Sequence, residues 1–330
     1  MTNRLKIQRP KYKRGDYPPP IQFQDRDTEI LRTIQKYDGV LSRRHLKMIF
    51  WSNKSEKSMQ KRLSKLFHNG YLNWPNAQQR QTKFIPESIV WIGWRGIIHL
   101  AFLDNIQVES PKKENENQMR NLQAKLRKHN IRWVREPNWN QLVHDFLVID
   151  FRLSIENSVK KIPHLYLEKW IPESKFRATI DNIKFSFVGN NGKKIHKSKG
   201  VIPDGFFIIA DAKRFQVGQP GRARFLLEID MSTHDNNSFG IEKATAGAAY
   251  IHSKEYKKRF NVNSGRWLII TTGEVRMKNL MAQTEKRVKK FTDLFYFTTL
   301  DKISTNNLIN ERVWRQINKK QAISLPFEGE

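Results

Sequence analysis

Three carboxylates in the second half of the chain have the types and spacing of a metal site. Asp204 begins one strand-like apolar run, and Glu228 and Asp230 end the next such run. Alternate residues of a strand point to the same face, so the side chains of Glu228 and Asp230 share a face. Neighbouring strands would bring Asp204 close to Glu228. We therefore expect Asp204 and Glu228 to hold Mg²⁺, or Mn²⁺ in its place, with Asp230 assisting, and such an ion can activate water for phosphodiester hydrolysis.

Three further side chains are candidates for supporting this chemistry. Lys243 follows the carboxylates on the next predicted helix, where its ammonium could reach back into the site as a catalytic group. His144 on an earlier helix and Glu168 on the first strand are candidates for groups behind the metal ligands. Both also have a plain structural interpretation, because a lone helical His is often packed or at the surface and an edge-strand Glu is often solvated.

The charge balance of the chain points to a polyanionic partner. Its 330 residues include 60 Lys and Arg against 32 Asp and Glu, a net charge of +28, and no Cys. Double-stranded DNA is favoured over an anionic membrane, because a membrane span needs about 20 apolar residues and the apolar runs here have strand length. Without Cys there is no disulfide framework, thiolate zinc site or thiol nucleophile. No secretory signal is visible, so we expect a cytoplasmic protein on nucleoid or plasmid DNA.

The N-terminal third has the pattern of three short helices followed by a hairpin. Asp27, Ser42 and Ser55 are the expected N-caps, and Gly70 is the expected end of the third helix. Strand-like runs at 71–74 and 89–94 flank a polar stretch, which is typical of a wing. The order predicts a winged helix-turn-helix.

The third predicted helix and the wing carry the side chains expected to contact DNA. Their chemistry suits phosphates and base edges, although a solvated helix face would show similar residues. The candidates are Lys54, Lys57, Ser58, Gln60, Lys61, Arg62 and Lys65 on or beside the helix, and Arg80 and Lys83 in the wing.

The sequence predicts an α/β protein of two domains. Residues 1–22 form a basic, flexible arm that either follows a DNA backbone or serves as a solubilising tail. The winged-helix DNA-binding domain occupies 23–110 and a second α/β domain occupies 111–330. A mixed central sheet with helices on both faces is expected in the second domain.

The acidic motifs carry a resemblance to known families. Ile202-Pro203-Asp204-Gly205 followed by Leu227-Glu228-Ile229-Asp230 resembles the PD-(D/E)xK nuclease superfamily, whose fold is that of restriction endonucleases. With the preceding winged helix, the segment 91–96, the pair His144-Asp145, and Thr233, Lys243 and Tyr250, the chain is similar to the replication-relaxation family of plasmids and mobile elements. The resemblance implies a duplex DNA-binding protein that acts as a Mg²⁺-dependent endonuclease or nickase. A relaxase, transposase or replication protein is a further expected partner.

One departure from the superfamily pattern keeps a second hypothesis open. The superfamily places Lys two residues after the metal-binding Glu, where this chain has Asp230. Lys243 would then stand in for the missing lysine. Alternatively, the domain is a catalytically inactive fold, and the protein is an origin-binding accessory factor for replication or mobilisation. A homodimer would suit either function, because palindrome reading and duplex cutting use two copies.

Overall fold

The computed structural model of the chain describes residues 10–109, 115–189, 191–233, 235–303 and 308–325. It is a mixed α/β protein that divides into two units, Met1–Phe146 and Leu147–Glu330, called here the N-terminal and C-terminal units. None of the helices within the described ranges combines the length and low polarity that a bilayer span requires.

The N-terminal unit alternates short helices with very short strands. Its elements are α1 (Asp25–Lys36), β1 (Val40–Ser42), α2 (Arg43–Phe50), α3 (Glu56–His68), β2 (Leu72–Asn73), α4 (Ala77–Thr82), β3 (Ile89–Ile92), α5 (Trp94–Leu103) and α6 (Glu116–Lys128). Helix α7 (Leu142–Lys160) then crosses the division between the units.

Local capping chemistry explains where the first three helices begin. Ser42 and Ser55 accept hydrogen bonds from the backbone N–H of His45 and Ser58, which confirms both as N-caps. The expectation for Asp27 was wrong. Gln24 is the N-cap of α1, and Asp27 lies three residues inside the helix, where its carboxylate accepts a hydrogen bond from the Gln24 N–H.

The expected hairpin is present, with an unexpected insertion between its strands. β2 and β1 pair antiparallel with β3 on its two sides, in the order β1-β3-β2. The polar stretch between β2 and β3, which we expected to be a simple wing loop, contains helix α4. Asn76 caps that helix by accepting a hydrogen bond from the Gln79 N–H at 2.8 Å.

Part of the expected flexible arm is held on the N-terminal unit. Arg14 donates hydrogen bonds to the carbonyls of Phe67 (3.0 Å) and Leu72 (3.1 Å), and Asn69 donates one to the Pro19 carbonyl at 2.9 Å. Residues 10–22 are therefore anchored at several points. Residues 1–9 lie outside the described residues.

Residues 115–146 are part of the N-terminal unit, although the sequence placed them in the second domain. Gln35 of α1 both donates a hydrogen bond to the Arg132 carbonyl (2.8 Å) and accepts one from the Arg132 N–H (2.7 Å). The rings of Trp94 and Trp133 lie 5.0 Å apart, and the Trp91 indole donates to the Arg135 carbonyl. These contacts pack the segment against α1, β3 and α5.

The C-terminal unit is built on a longer sheet. Its elements are β4 (Leu165–Pro172), α8 (Glu173–Ala178), β5 (Asp181–Val188), β6 (Lys194–Val201), β7 (Gly205–Asp211), α9 (Ala212–Gln216), β8 (Arg222–Asp230), α10 (Asn236–Phe239), a π-helical turn (Gly240–Thr245), α11 (Ala246–Ile251), α12 (Lys254–Phe260), β9 (Arg266–Thr271), α13 (Glu274–Val288) and β10 (Phe295–Thr299).

The five-stranded sheet is mixed, as expected, and covered on both faces. Its order is β10-β9-β8-β7-β4, with β8, β9 and β10 mutually parallel and β7 antiparallel to both β8 and β4. On one face, Phe206 and Leu226 pack with residues of α11–α13. On the other, Phe207 and Phe225 pack with residues of α7 and of the chain after β10. Strands β5 and β6 form a separate antiparallel hairpin.

Candidate functional site

Asp204 and Glu228 lie opposite each other at one end of the central strands. Gly205 pairs with Leu227 in the antiparallel β7–β8 ladder, and the Asp204 N–H donates to the Leu227 carbonyl at 2.9 Å. One step further along this register sets Asp204 opposite Glu228, where Cβ atoms are about 5 Å apart. Asp204 Oδ2 also accepts a hydrogen bond from the Ile229 N–H at 2.7 Å. The structure therefore brings together the two carboxylates that the sequence paired.

Lys243 completes this group from the helical layer. It lies on the π-helical turn after α10, and its Nζ is 2.6 Å from Glu228 Oε1. Burial lowers the pKa of Lys243, but the negative charges of Glu228, Asp204 and Glu173 raise it, and the net shift is upward. Lys243 therefore carries a positive charge at neutral pH, directly beside the two carboxylates.

Asp230 has hydrogen-bond partners outside this group. Its carboxylate accepts two hydrogen bonds from Arg276 of α13, at 2.8 and 2.9 Å, and one from the Thr271 hydroxyl at 2.8 Å. Burial raises the pKa of Asp230, but the hydrogen bonds from Arg276 and Thr271 outweigh this, so the pKa is lowered. Within the described ranges, no group of three or more His, Asp or Glu side chains is placed to hold a metal ion.

The expected role of Glu168 behind the metal ligands does not match its position. Its carboxylate accepts hydrogen bonds from Arg222, at the end of β8 remote from Glu228. Glu168 occupies a bulge between Leu167 and Lys169, so it is displaced from the regular alternation of β4.

Glu173 is the acidic residue that the sequence reasoning missed. It is the first residue of α8 and follows Pro172, which pairs with Gly205 next to Asp204. Its charge contributes to the raised pKa of Lys243. The sequence did contain a signal for Glu173, because a Glu at the end of a strand that neighbours Asp204 lies at the same end of the sheet.

His144 lies near the start of α7, within the N-terminal unit. Its Nδ1 is 3.8 Å from Oδ1 of the neighbouring Asp145, and its side chain is partly exposed. This contact places His144 beside Asp145.

The donor set fits one magnesium ion. Asp204 and Glu228 are both about nine-tenths buried, and their oxygens are the hard ligands that Mg²⁺ prefers. Two carboxylates are sufficient where water and substrate phosphate supply the other ligands. Lys243 would then lie beside a ligand of the ion.

Helix α3 has one buried apolar face and one exposed cationic face. Met59, Leu63 and Leu66 are buried against the unit's core. The exposed side includes Lys54 in the preceding turn and Lys57, Ser58, Gln60 and Lys61 on the helix, while Lys65 is half-buried. Lys83 is exposed after α4. The structure thus leaves most of the expected DNA-contacting side chains on the surface.

Two of the expected DNA contacts have structural partners. Arg62 forms an ion pair with the fully buried Asp27 of α1 and donates to the Gln22 carbonyl at 3.0 Å, so it ties α3 to α1. The guanidinium of Arg80 stacks over the Tyr12 ring at 4.8 Å, where it holds α4 against the N-terminal segment.

Comparisons of the chain with protein-family models, with curated proteins and with solved structures found no match.

Proposed function

We propose that the chain is a double-stranded DNA-binding protein of a plasmid or mobile element, with a metal-dependent DNA endonuclease or nickase site in its C-terminal unit. The observation that carries the proposal is the group formed by Asp204, Glu228 and Lys243. Two acidic side chains lie opposite each other on antiparallel strands, and a protonated lysine lies 2.6 Å from one of them. Carboxylates that hold Mg²⁺ beside a fixed cation suit hydrolysis of a phosphodiester.

The topology of the C-terminal unit supports a PD-(D/E)xK-like domain. Helix α7 precedes β4, β7 and β8, and β7 pairs antiparallel with both β4 and β8. The helices after β8 lead to β9, which runs parallel to β8. This is the helix–strand–strand–strand–helix–strand order that the resemblance implies. The β5–β6 hairpin is an insertion between the first two sheet strands.

In this mechanism the carboxylates and the lysine of the site have separate roles. Asp204 and Glu228 would hold Mg²⁺, which supplies an activated water and neutralises charge on the phosphate. Asp204 is oriented by the hydrogen bond from the Ile229 N–H, so its position does not depend on the ion. Because Lys243 is protonated, it stabilises negative charge on the scissile phosphate and does not act as a general base.

The element order of the N-terminal unit supports a winged-helix DNA reader. The third helix presents Lys57 and Lys61 to solvent, and the β2–β3 hairpin follows it directly. In helix-turn-helix proteins such a helix enters the major groove and its cations neutralise phosphates.

The β5–β6 hairpin offers a second cationic surface. Lys197 and Lys199 bind Glu242, the residue before Lys243, which fixes the hairpin beside the π-helical turn. On its other face Lys184, Lys194 and His196 are exposed. That face is turned away from Glu242, so a DNA backbone held there would lie on the outer side of the hairpin.

The test is a cleavage assay with supercoiled plasmid in Mg²⁺, Mn²⁺ or EDTA. We expect the native protein to nick or linearise the plasmid with either metal and to be inactive in EDTA. Asp204→Asn and Glu228→Gln should each lower the rate about 100-fold or more, with duplex binding unchanged in a fluorescence-anisotropy titration. Cleavage by both variants at the native rate would contradict the assigned site.

The second candidate function is a non-cleaving, origin-binding accessory factor. It is favoured by the pairing of Asp230 with Arg276, because the position where nucleases of this type carry a lysine is occupied by a structural ion pair. Tight, salt-dependent duplex binding with no cleavage under any metal would support it over the endonuclease.

A further inference from the structure

A cavity of about 500 Å³ lies in the N-terminal unit, at the C-terminal end of α3. Its lining includes Arg14, Asn73, Trp94, Arg95, Trp133 and Arg135. The volume is in the range of small-molecule sites, which span about 300–1,000 Å³. All of these residues belong to one unit, and the exposed lysines of α3 are not among them.

Among the described residues, the hydrogen-bond acceptors of two of the cavity's arginines are all uncharged. Arg14 donates to the carbonyls of Phe67 and Leu72 and to Asn73 Oδ1 at 2.6 Å, and Arg95 donates to the Asn69 carbonyl at 3.3 Å. Among the described residues, no ion pair with a carboxylate involves Arg14 or Arg95, whereas Arg135 pairs with Glu116. Burial lowers the pKa of Arg14. The cavity therefore holds fixed positive charge that an anion could neutralise.

Aromatic surface lies beside these cations. Trp133 is 8% exposed and Trp94 is half-buried, and their rings are 5.0 Å apart and tilted by 42°. Indole faces stack on nucleobases of any sequence, and guanidinium groups bind phosphate with paired N–H donors. The combination suits a ligand that has a planar ring and a phosphate.

We propose that this cavity binds a nucleotide, with its base against Trp94 and Trp133 and its phosphate at Arg14 and Arg95. The same chemistry is present in a free mononucleotide and in one nucleotide of a single strand. This inference concerns a site other than the α3 surface and the acidic group, so it does not depend on the proposed function.

The experiment is isothermal titration of the full chain with deoxyadenosine monophosphate, deoxyadenosine, inorganic phosphate and an oligodeoxyadenylate of four residues. We expect the mononucleotide to bind at least tenfold more tightly than the nucleoside or phosphate. Arg95→Ala should weaken mononucleotide binding at least tenfold, and Trp94→Ala should weaken binding of the mononucleotide but not of phosphate. Arg127→Ala, an exposed arginine on α6 outside the cavity, is the matched control and should bind normally.

The two sources of the ligand give different results. If the mononucleotide binds and this binding requires Arg95, a free nucleotide is a sufficient ligand. If only the oligonucleotide binds, again through Arg95, the ligand is a nucleotide within a single strand. The double variant Lys57→Ala, Lys61→Ala should leave either result unchanged, which separates the cavity from the α3 surface. The proposal is overturned if Arg95→Ala, shown to be folded by circular dichroism, binds both ligands like the native chain, or if phosphate alone binds as tightly as the mononucleotide.

Discussion

Arg276 of α13 donates two hydrogen bonds to Asp230 at the end of β8, through Nε at 2.8 Å and Nη2 at 2.9 Å. The same guanidinium reaches Asn236 Oδ1 at 2.5 Å, so it joins the strand, α13 and the start of α10. Asp230 is 5% exposed, and the Arg276 side chain is 15% exposed. Through Arg276, the carboxylate that the sequence added to the metal site is therefore tied to α13 and α10.

Asp230→Asn should lower the stability of the C-terminal unit while leaving its chemistry intact. Removing one charge of a buried ion pair leaves the other uncompensated, and we expect a loss of about 3 kcal/mol in the free energy of unfolding. Urea unfolding followed by circular dichroism measures this loss. Plasmid cleavage per folded molecule should stay within about threefold of the native rate. A folded variant with cleavage reduced as much as in Asp204→Asn would place Asp230 in the catalytic group after all.

The contribution of Asp230 should disappear in acid. Its pKa is lowered in the folded protein, so the stabilisation is complete above the pKa of the unfolded chain and is lost as the pH falls through the folded value. The unfolded pKa of Asp is about 4. The stability difference between the native chain and Asp230→Asn should be constant from pH 6 to 8 and shrink progressively below about pH 4. A difference that does not change down to pH 2 would contradict this.

Local patterns in the sequence predicted much of the backbone and part of the site. Strand alternation paired Asp204 with Glu228, and Ser42 and Ser55 marked helix starts, because both signals act over a few residues. The partner of Asp230 is 46 residues away, so its choice depends on how α13 packs over the sheet. Nothing in the residues around Glu168 indicated the bulge that displaces it.

Glu173 and Glu168 form a matched pair for testing the extent of the acidic group. Glu173→Gln removes a charge that helps raise the pKa of Lys243, so cleavage should fall and its pH profile should shift to lower pH on the alkaline side. Glu168→Gln loses an exposed ion pair with Arg222 and should change neither the rate nor the profile. Identical profiles for the two variants would remove Glu173 from the group.

Lys243→Met tests whether the lysine supplies positive charge to the reaction. Loss of a fixed cation at the scissile phosphate should lower the cleavage rate about 100-fold or more. Lys243→Arg keeps the charge and should recover part of that rate. Lys278, exposed on α13, is the control, and Lys278→Met should cleave normally. Equal rates for Lys243→Met and Lys278→Met would show that the ion pair with Glu228 has no catalytic role.

Lys61 and Arg62 are adjacent on α3, but substitution of Lys61 should affect DNA binding and substitution of Arg62 should affect stability. Lys61 is exposed, so Lys61→Ala should weaken duplex binding, lower the slope of log Kd against log salt by about 1, and leave the melting temperature unchanged. Arg62 is paired with the fully buried Asp27, so Arg62→Ala leaves a buried carboxylate uncompensated and should cost about 3 kcal/mol of stability. Anisotropy titrations at several salt concentrations and thermal unfolding separate the two effects. Asp27→Asn combined with Arg62→Ala should recover part of the lost stability, because the uncompensated charge is gone. If Arg62→Ala were as stable as the native chain and bound DNA as weakly as Lys61→Ala, Arg62 would be a DNA contact and its ion pair with Asp27 would be incidental.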